Sequence, residues 1–156
     1  MKTIVVISDS HGNRAAQEKL YPIFAESDYI IHLGDTSGDG NAIRKSFPDK
    51  TIVLNGNCDI MPAGDREAEL QVENIKILAC HGDRYGVKST LSRLAYRAEE
   101  VGAQIALYGH THIPKADTEG GVTLLNPGTL SRYSANTYLY IVINGNKFTF
   151  KHVDLR

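Results

Sequence analysis

The chain contains no tryptophan, only two cysteines, no surplus of either charge and no long apolar run. Its longest uninterrupted apolar stretch, Tyr138 to Ile143, falls far short of the ~20 residues a membrane-crossing helix needs. Neither cysteine belongs to a CxxC pair, so Cys58 and Cys80 are read as reduced thiols and not as a disulfide framework. With 17 Lys and Arg against 18 Asp and Glu, the net charge of -1 excludes nucleic acid held mainly by counterion release. A signal peptide does not fit either. Met1-Lys2-Thr3 leads straight into the run Ile4 to Ile7, which is too short for one and is followed by no small-residue cleavage site, so a cytoplasmic location is expected.

What is present is ordinary globular composition, 42% hydrophobic and 22% charged, in a chain of 156 residues that reads as one domain over 1–156. No linker, repeat or low-complexity segment divides it. Six histidines are the conspicuous excess.

Ile4 to Ile7 has the β-branched pattern of a strand buried on both faces, and it stops at Ser8-Asp9-Ser10-His11-Gly12. Asn13 then caps a helix running to Phe24, with Ala16, Leu20, Ile23 and Phe24 on one face. Further apolar strands, Tyr29 to Leu33 and Thr51 to Leu54, end at Gly34-Asp35 and Asn55-Gly56-Asn57. This alternation gives parallel βαβ units. Later come a hairpin around Glu73-Asn74, a helix with Val87, Leu91, Leu94, Ala95, Ala98 and Val101 on one stripe, and a buried strand from Ile105 to Tyr108. Short strands follow at Lys115 to Thr118 and Val122 to Leu125. Two last strands, Thr137 to Ile143 and Lys147 to Val153, join through Asn144-Gly145. Strands outnumber helices in this half, so two sheets packed face to face with helices outside are expected.

One event recurs along the chain. An apolar strand stops, and Asp, Asn or His appears beside Gly: Asp9 with His11, Asp35, Asn57, His81, and His110 with His112. In open α/β sheets ligands bind outside the carboxyl ends of strands, so these loops are able to converge on one edge. Two Asp, one Asn and four His brought together are costly to bury without an organising charge, and divalent cations supply one. Seven oxygen and nitrogen ligands exceed what one tetrahedral zinc with an open position accepts. Two ions sharing a carboxylate use them all, and such pairs clamp the attacking and leaving oxygens in displacement at phosphorus. Phosphoester hydrolysis is the chemistry suggested.

The blocks Asp9-Ser10-His11, Gly34-Asp35, Gly56-Asn57-Cys58-Asp59, His81-Gly82, Gly109-His110-Thr111-His112 and Asn126-Pro127-Gly128-Thr129 stand in the order of the calcineurin-like metallophosphoesterases. The chain resembles most the small bacterial and archaeal phosphodiesterases of the YfcE/YsnB type. That resemblance implies an α/β four-layer αββα sandwich with two mixed sheets flanked by helices. It implies two divalent ions, manganese first and Ni2+, Mg2+, Fe2+ or Zn2+ as alternatives, since mixed His, Asn and carboxylate ligation is permissive. By similarity Asp9, His11 and His112 hold the first ion, Asn57, His81 and His110 the second, and Asp35 bridges them. A water or hydroxide between the ions is then the nucleophile.

One position departs from the family. Many members carry His after the metal-binding Asn, where this chain has Cys58. A thiol of pKa near ~8.5 is a poorer acid at neutral pH. The leaving group is then protonated by water, by His11, or not at all, and better turnover of esters with good leaving groups is expected. His11, Asn57 and Cys58 are therefore the residues placed nearest the chemistry.

Other polar residues receive plainer assignments. His32, inside an apolar strand, is read as a hydrogen-bonded core residue and His152 as solvent-exposed. Cys80 is read as core packing. Asp59 and Asp83 are read either as partners orienting His rings or as members of surface ion pairs with Arg84 or Arg66. Asn126 is expected to support the loop carrying His110 and His112. Arg14, Arg84, Lys88 and Arg132 flank the loops, with solvated charge as the default.

The expected partner is a small phosphoester, with no membrane, and with nucleic acid excluded except as a small nucleotide substrate. Short loops at Thr36 to Asn41, Ile60 to Arg66 and Arg84 to Ser89 would build an open pocket that a homo-oligomer would complete. The competing reading is a non-catalytic interaction scaffold on the same fold, like the small retromer subunit. Intact ligand positions favour the enzyme.

Overall fold

A computed structural model describes residues 1–59 and 65–155. Among the described residues ten strands form two five-stranded sheets. The first has the order β10-β9-β1-β2-β3, built from β1 (Lys2–Ile7), β2 (Tyr29–His32), β3 (Thr51–Val53), β9 (Thr137–Asn144) and β10 (Lys147–Asp154). The second has the order β4-β5-β6-β8-β7, built from β4 (Glu67–Val72), β5 (Ile75–Cys80), β6 (Ile105–Leu107), β7 (Lys115–Glu119) and β8 (Val122–Asn126). Each sheet is mixed. In the first, β1, β2 and β3 are parallel and β9 and β10 add antiparallel. In the second, β5, β6 and β8 are parallel between antiparallel β4 and β7.

Period-two alternation sorts the apolar residues into layers. Ile4 and Val6 of β1 face inward with Ile31, Leu139 and Ile141, meeting Ile77, Leu107 and Leu125 of the other sheet. Three helices, α1 (Arg14–Glu18), α2 (Tyr21–Glu26) and α3 (Ser37–Ser46), follow in the first half, and Val5 and Ile7 face outward onto Leu20 at the start of α2, Phe24 of α2 and Ile43 of α3. On the far side Leu78, Ala106 and Leu124 pack against Leu94, Ala95 and Ala98 of α4 (Ser92–Val101). Strands buried on both faces thus make a four-layer αββα sandwich, each large apolar side chain contributing roughly 1.5–3 kcal/mol of burial.

Several local expectations change. The helix expected from Asn13 to Phe24 is two short helices, although Asn13 does cap the first, its Oδ1 accepting from Ala16 N at 3.3 Å. Pro22 is the reason: lacking an N–H, it cannot donate to residue 18, and its ring would meet that carbonyl in a continuous helix. Thr36 to Asn41, expected as a loop, runs into the first turns of α3. The helix with the apolar stripe begins only at Ser92, because Asp83–Tyr85 forms a separate single 3-10 turn between two left-handed glycines. Most of the expected loop from Ile60 to Arg66, residues 60–64, lies outside the described residues.

The parallel strands of both sheets end at one edge. There the sheets are stitched together by His81 Nδ1 to Leu33 O (3.0 Å), His110 N to Asp9 Oδ2 (3.0 Å) and Leu130 N to Ser8 O (3.3 Å).

Candidate metal centre

At this edge the loops after β1, β2, β5 and β6 bring six of the seven expected ligand residues into two groups. Asp9, His11 and His112 form one, and Asp35, His81 and His110 the other, the ligand atoms within each lying within 4.8 Å of one another. The groups adjoin. Asp9 Oδ1 lies 3.2 Å from His112 Nε2 and 3.8 Å from His81 Nε2, and Asp35 Oδ2 lies 3.3 Å from His81 Nε2 and 4.0 Å from His11 Nε2. Asn57, the seventh, is exposed at the same edge, one residue before Cys58, whose N–H donates to Asp35 Oδ1 at 2.9 Å.

Backbone geometry sets these side chains apart. Asp9, His11, Asp35, His110 and His112 all have positive φ, between 44° and 71°. Left-handed backbone is disfavoured for residues with a Cβ, and clusters of it mark functional sites. Here it is held by cross-loop bonds: Asp9 N to Gly34 O (2.9 Å), His11 N to Asp35 O (3.2 Å), His110 N to Asp9 Oδ2 (3.0 Å) and Thr129 Oγ1 to Asp9 O (2.7 Å). Gly109 has to be glycine for a related reason, since a Cβ there would overlap Ser8 Oγ and Asp9 Oδ2.

The polar atoms pointing inward fit divalent cations. Among the described residues, Asp9 Oδ1 and His81 Nε2 are buried with no hydrogen-bond partner, an expensive state unless something else meets them. His81 donates through Nδ1 to Leu33 O, which leaves the Nε2 lone pair of the neutral ring facing the two carboxylates. Burial alone would lower His81, but Asp35 and Asp9 outweigh it and raise its pKa. Burial would raise Asp35; the His81 ring and the Cys58 N–H outweigh it and hold that carboxyl far below the usual range. His110 is lowered by its burial and by the charges of His81 and Lys88. The Cys58 thiol is raised by its surroundings and by Asp35, so it stays protonated at neutral pH.

Around the loops lies a layer that sequence reasoning missed. Asp39, buried in the first turn of α3, accepts from Ser10 Oγ (2.6 Å), Gly12 N (2.9 Å) and Arg14 Nε (2.6 Å), and thereby clamps the loop carrying Asp9 and His11. His32 completes the chain. Its Nδ1 accepts from Gly34 N (3.1 Å), so the ring proton sits on Nε2, 2.9 Å from Ser10 Oγ. The available signal was a second Asp four residues after Asp35 between Gly38 and Gly40, a spacing obscured by treating that stretch as a loop.

Other assignments hold or change as follows. Cys80 packs in the core, and Asn126 does support the histidine loop, donating to Gly109 O (3.1 Å) and Thr111 Oγ1 (3.0 Å). Among the described residues Asp59 neither orients a histidine nor pairs with an arginine. It accepts from Asp35 N, Gly56 N and Ser37 N, tying the second loop to the third and to the start of α3. Asp83 makes the ion pair with Arg66 at 3.0 Å. His152, expected in solvent, is half-buried with Nε2 2.7 Å from Asn126 O, because its strand lies close to the end of β8. Arg14 is committed to Asp39, whereas Lys88 keeps its exposed position.

Fold and site together define a metallophosphoesterase: residues 1–146 match the calcineurin-like phosphoesterase superfamily domain, and the chain belongs to that family. It is 38% identical over 133 residues to YsnB of Bacillus subtilis, described as a probable metallophosphoesterase, covering 81% of this chain and 74% of that protein. It is 26% identical over 155 residues to the phosphodiesterase YfcE of Escherichia coli, covering 84% and 80%. Among solved structures, vacuolar protein sorting 29 of Cryptosporidium parvum superimposes with a TM-score of 0.83 over 99% of this chain and 92% of its own, at 19% identity, a likeness of fold alone. No helix among the described residues is long and apolar enough to cross a membrane.

Proposed function

We propose that the protein is a phosphodiesterase working with two divalent ions, manganese first among them. The observation that carries this reading is the pair of adjoining Asp/His groups with two buried, unpartnered ligand atoms between them. The relation to a phosphodiesterase supports the diester over the monoester. Asp9, His11 and His112 would hold one ion, Asn57, His81 and His110 the other, with Asp35 shared. Two such ions, when bound, lower the pKa of a coordinated water and neutralise charge developing on the phosphoryl oxygens.

The chain's own groups orient and stabilise. Asp39 and Ser10 hold the first loop, Asp59 the second and Asn126 the one carrying His110 and His112, so the ligand atoms are preset before any ion arrives. In the net reaction water adds to phosphorus, one P–O bond to an alcohol breaks, and that alcohol leaves with a proton. His11, exposed at the mouth, and solvent are the proton sources within reach, because Cys58 offers a thiol raised above its ordinary pKa.

The test is hydrolysis of bis(p-nitrophenyl) phosphate by chelator-treated protein with and without manganese. Turnover that requires the metal and is lost in His110→Ala and Asn57→Ala supports the reading. Metal-independent behaviour, or no turnover by protein that binds two ions, refutes it and leaves the interaction scaffold.

A further inference from the structure

Beside the metal centre three buried side chains form a file of hydrogen bonds with one direction. His32 Nδ1 accepts from Gly34 N at 3.1 Å, so the neutral ring carries its proton on Nε2 and donates it to Ser10 Oγ at 2.9 Å. The Ser10 hydroxyl donates in turn to Asp39 Oδ2 at 2.6 Å, and a carboxylate, which only accepts, closes the file. Ser10 and His32 have no exposure and Asp39 is 2% exposed, so any lost link leaves a buried donor or acceptor unpaired.

The file joins two ligand loops. Ser10 lies between Asp9 and His11, whose φ values are 53° and 44°, and Gly34 precedes Asp35, whose φ is 49°. Backbone bonds from Asp9 N to Gly34 O and from His11 N to Asp35 O also cross between these loops. The Ser10 side chain adds an anchor between two left-handed ligand residues, a conformation that persists only where its surroundings over-determine it. His32 and Asp39 belong to neither ligand group.

We propose that His32 and Ser10 are positioning residues acting as one unit, which holds Asp9 and His11 in register with Asp35 and so sets the affinity for the ion of the first group. These roles rest on the two-ion reading above, and they are tested without catalysis. His32 stands on β2, yet it controls an ion held by the loop after β1. Because the links are in series, breaking one forfeits the effect of both.

The experiment titrates manganese into metal-free protein by calorimetry, with low-temperature electron paramagnetic resonance on the same samples. It compares the parent, Ser10→Ala, His32→Asn and the double variant; His32→Asn keeps an acceptor for Gly34 N and removes the donor to Ser10. In each single variant one of the two ions is expected to bind about tenfold more weakly, and the spectrum to pass from a coupled pair towards isolated manganese. The double variant should lose no more than the larger single effect, whereas independent losses would multiply to roughly a hundredfold. Added to His112→Ala, which already breaks the first group, Ser10→Ala should leave the remaining ion's affinity unchanged. Ser27→Ala removes a buried hydroxyl bond to Phe24 O at the opposite end of β2 and should alter neither affinity. Parent-like binding of both ions by Ser10→Ala, the milder substitution, overturns the assignment. Multiplying losses in the double variant, a further loss in the His112→Ala background or an equal loss in Ser27→Ala also overturns it. A parent protein that takes up fewer than two ions removes the two-ion reading itself, and the assignment with it.

Discussion

His32 makes the unfolding of this protein pH-dependent in a calculable way. The ring has no exposure, its Nδ1 accepts from Gly34 N and its Nε2 proton meets Ser10 Oγ, so a second proton would break the Gly34 bond and leave a buried cation. Burial takes its pKa down to about 4 from 6.5, a fall that the nearby carboxylates of Asp39, Asp9 and Asp59 oppose without cancelling. Between those two values the unfolded chain binds a proton that the folded chain does not. Stability is therefore full above the unfolded pKa and declines as pH drops towards the folded one, by about 1.4 kcal/mol per unit and about 3 kcal/mol over the window.

The perturbation is His32→Gln and the assay is urea unfolding of metal-free protein at several pH values. Near neutrality the variant should be less stable by roughly 1–3 kcal/mol, the cost of a misaligned buried partner for Gly34 N. As the pH falls the parent loses stability that the variant cannot lose, and the gap should close by about 3 kcal/mol. Taking the difference removes groups common to both proteins, His81 included. Parallel curves down to the carboxylate range would refute the reasoning, because they would mean that His32 takes its proton equally in both states.

Asp39→Asn keeps the shape but replaces an acceptor oxygen with a donor, so a bond from Ser10, Gly12 or Arg14 is lost; thermal melting should shift down by about 4–8 °C for the ~2 kcal/mol involved. Burial raises the Asp39 carboxyl, but Ser10, Arg14 and Gly12 outweigh it and hold it low, so the gap from the parent should persist at neutral pH and close as pH falls through that depressed pKa. Gly109→Ala should cost about 3 kcal/mol or prevent folding, whereas Gly145→Ala, at φ 65° with open space around it, should cost only about 1–2 kcal/mol by the same melting assay. His112→Ala should reduce bound manganese from two ions per chain towards one, measured by elemental analysis after dialysis. Cys58→His should raise the rate on alkyl relative to aryl phosphodiesters, read as the ratio of kcat values; an unchanged ratio removes the leaving-group argument.

Much of this molecule is legible because its signals are local. The apolar runs of Ile4 to Ile7 and Ile77 to Ala79 report strands buried on both faces, and the polar residues that end each strand are visible as punctuation. The hairpins at Glu73-Asn74 and Asn144-Gly145 were equally plain. Where two local signals compete, reading fails: the periodicity of residues 13–24 speaks for one helix while Pro22 splits it, and the glycines of residues 34–40 conceal the start of α3.

By itself, then, the sequence determined the strand pattern, the layered class, the family and the residue types gathered at strand ends. Each depends on neighbours a few positions apart. The tertiary structure alone decided what required distant segments to meet. His11 and His112 approach within 3.4 Å although 101 residues separate them, and Asp39 reaches back to a loop 29 residues away. Opposed carboxylates, left-handed ligand loops, a neutral buried His32 and an unpartnered His81 Nε2 are properties of that meeting. Chain entropy and packing settle which segments come together, and no short window of residues contains both partners.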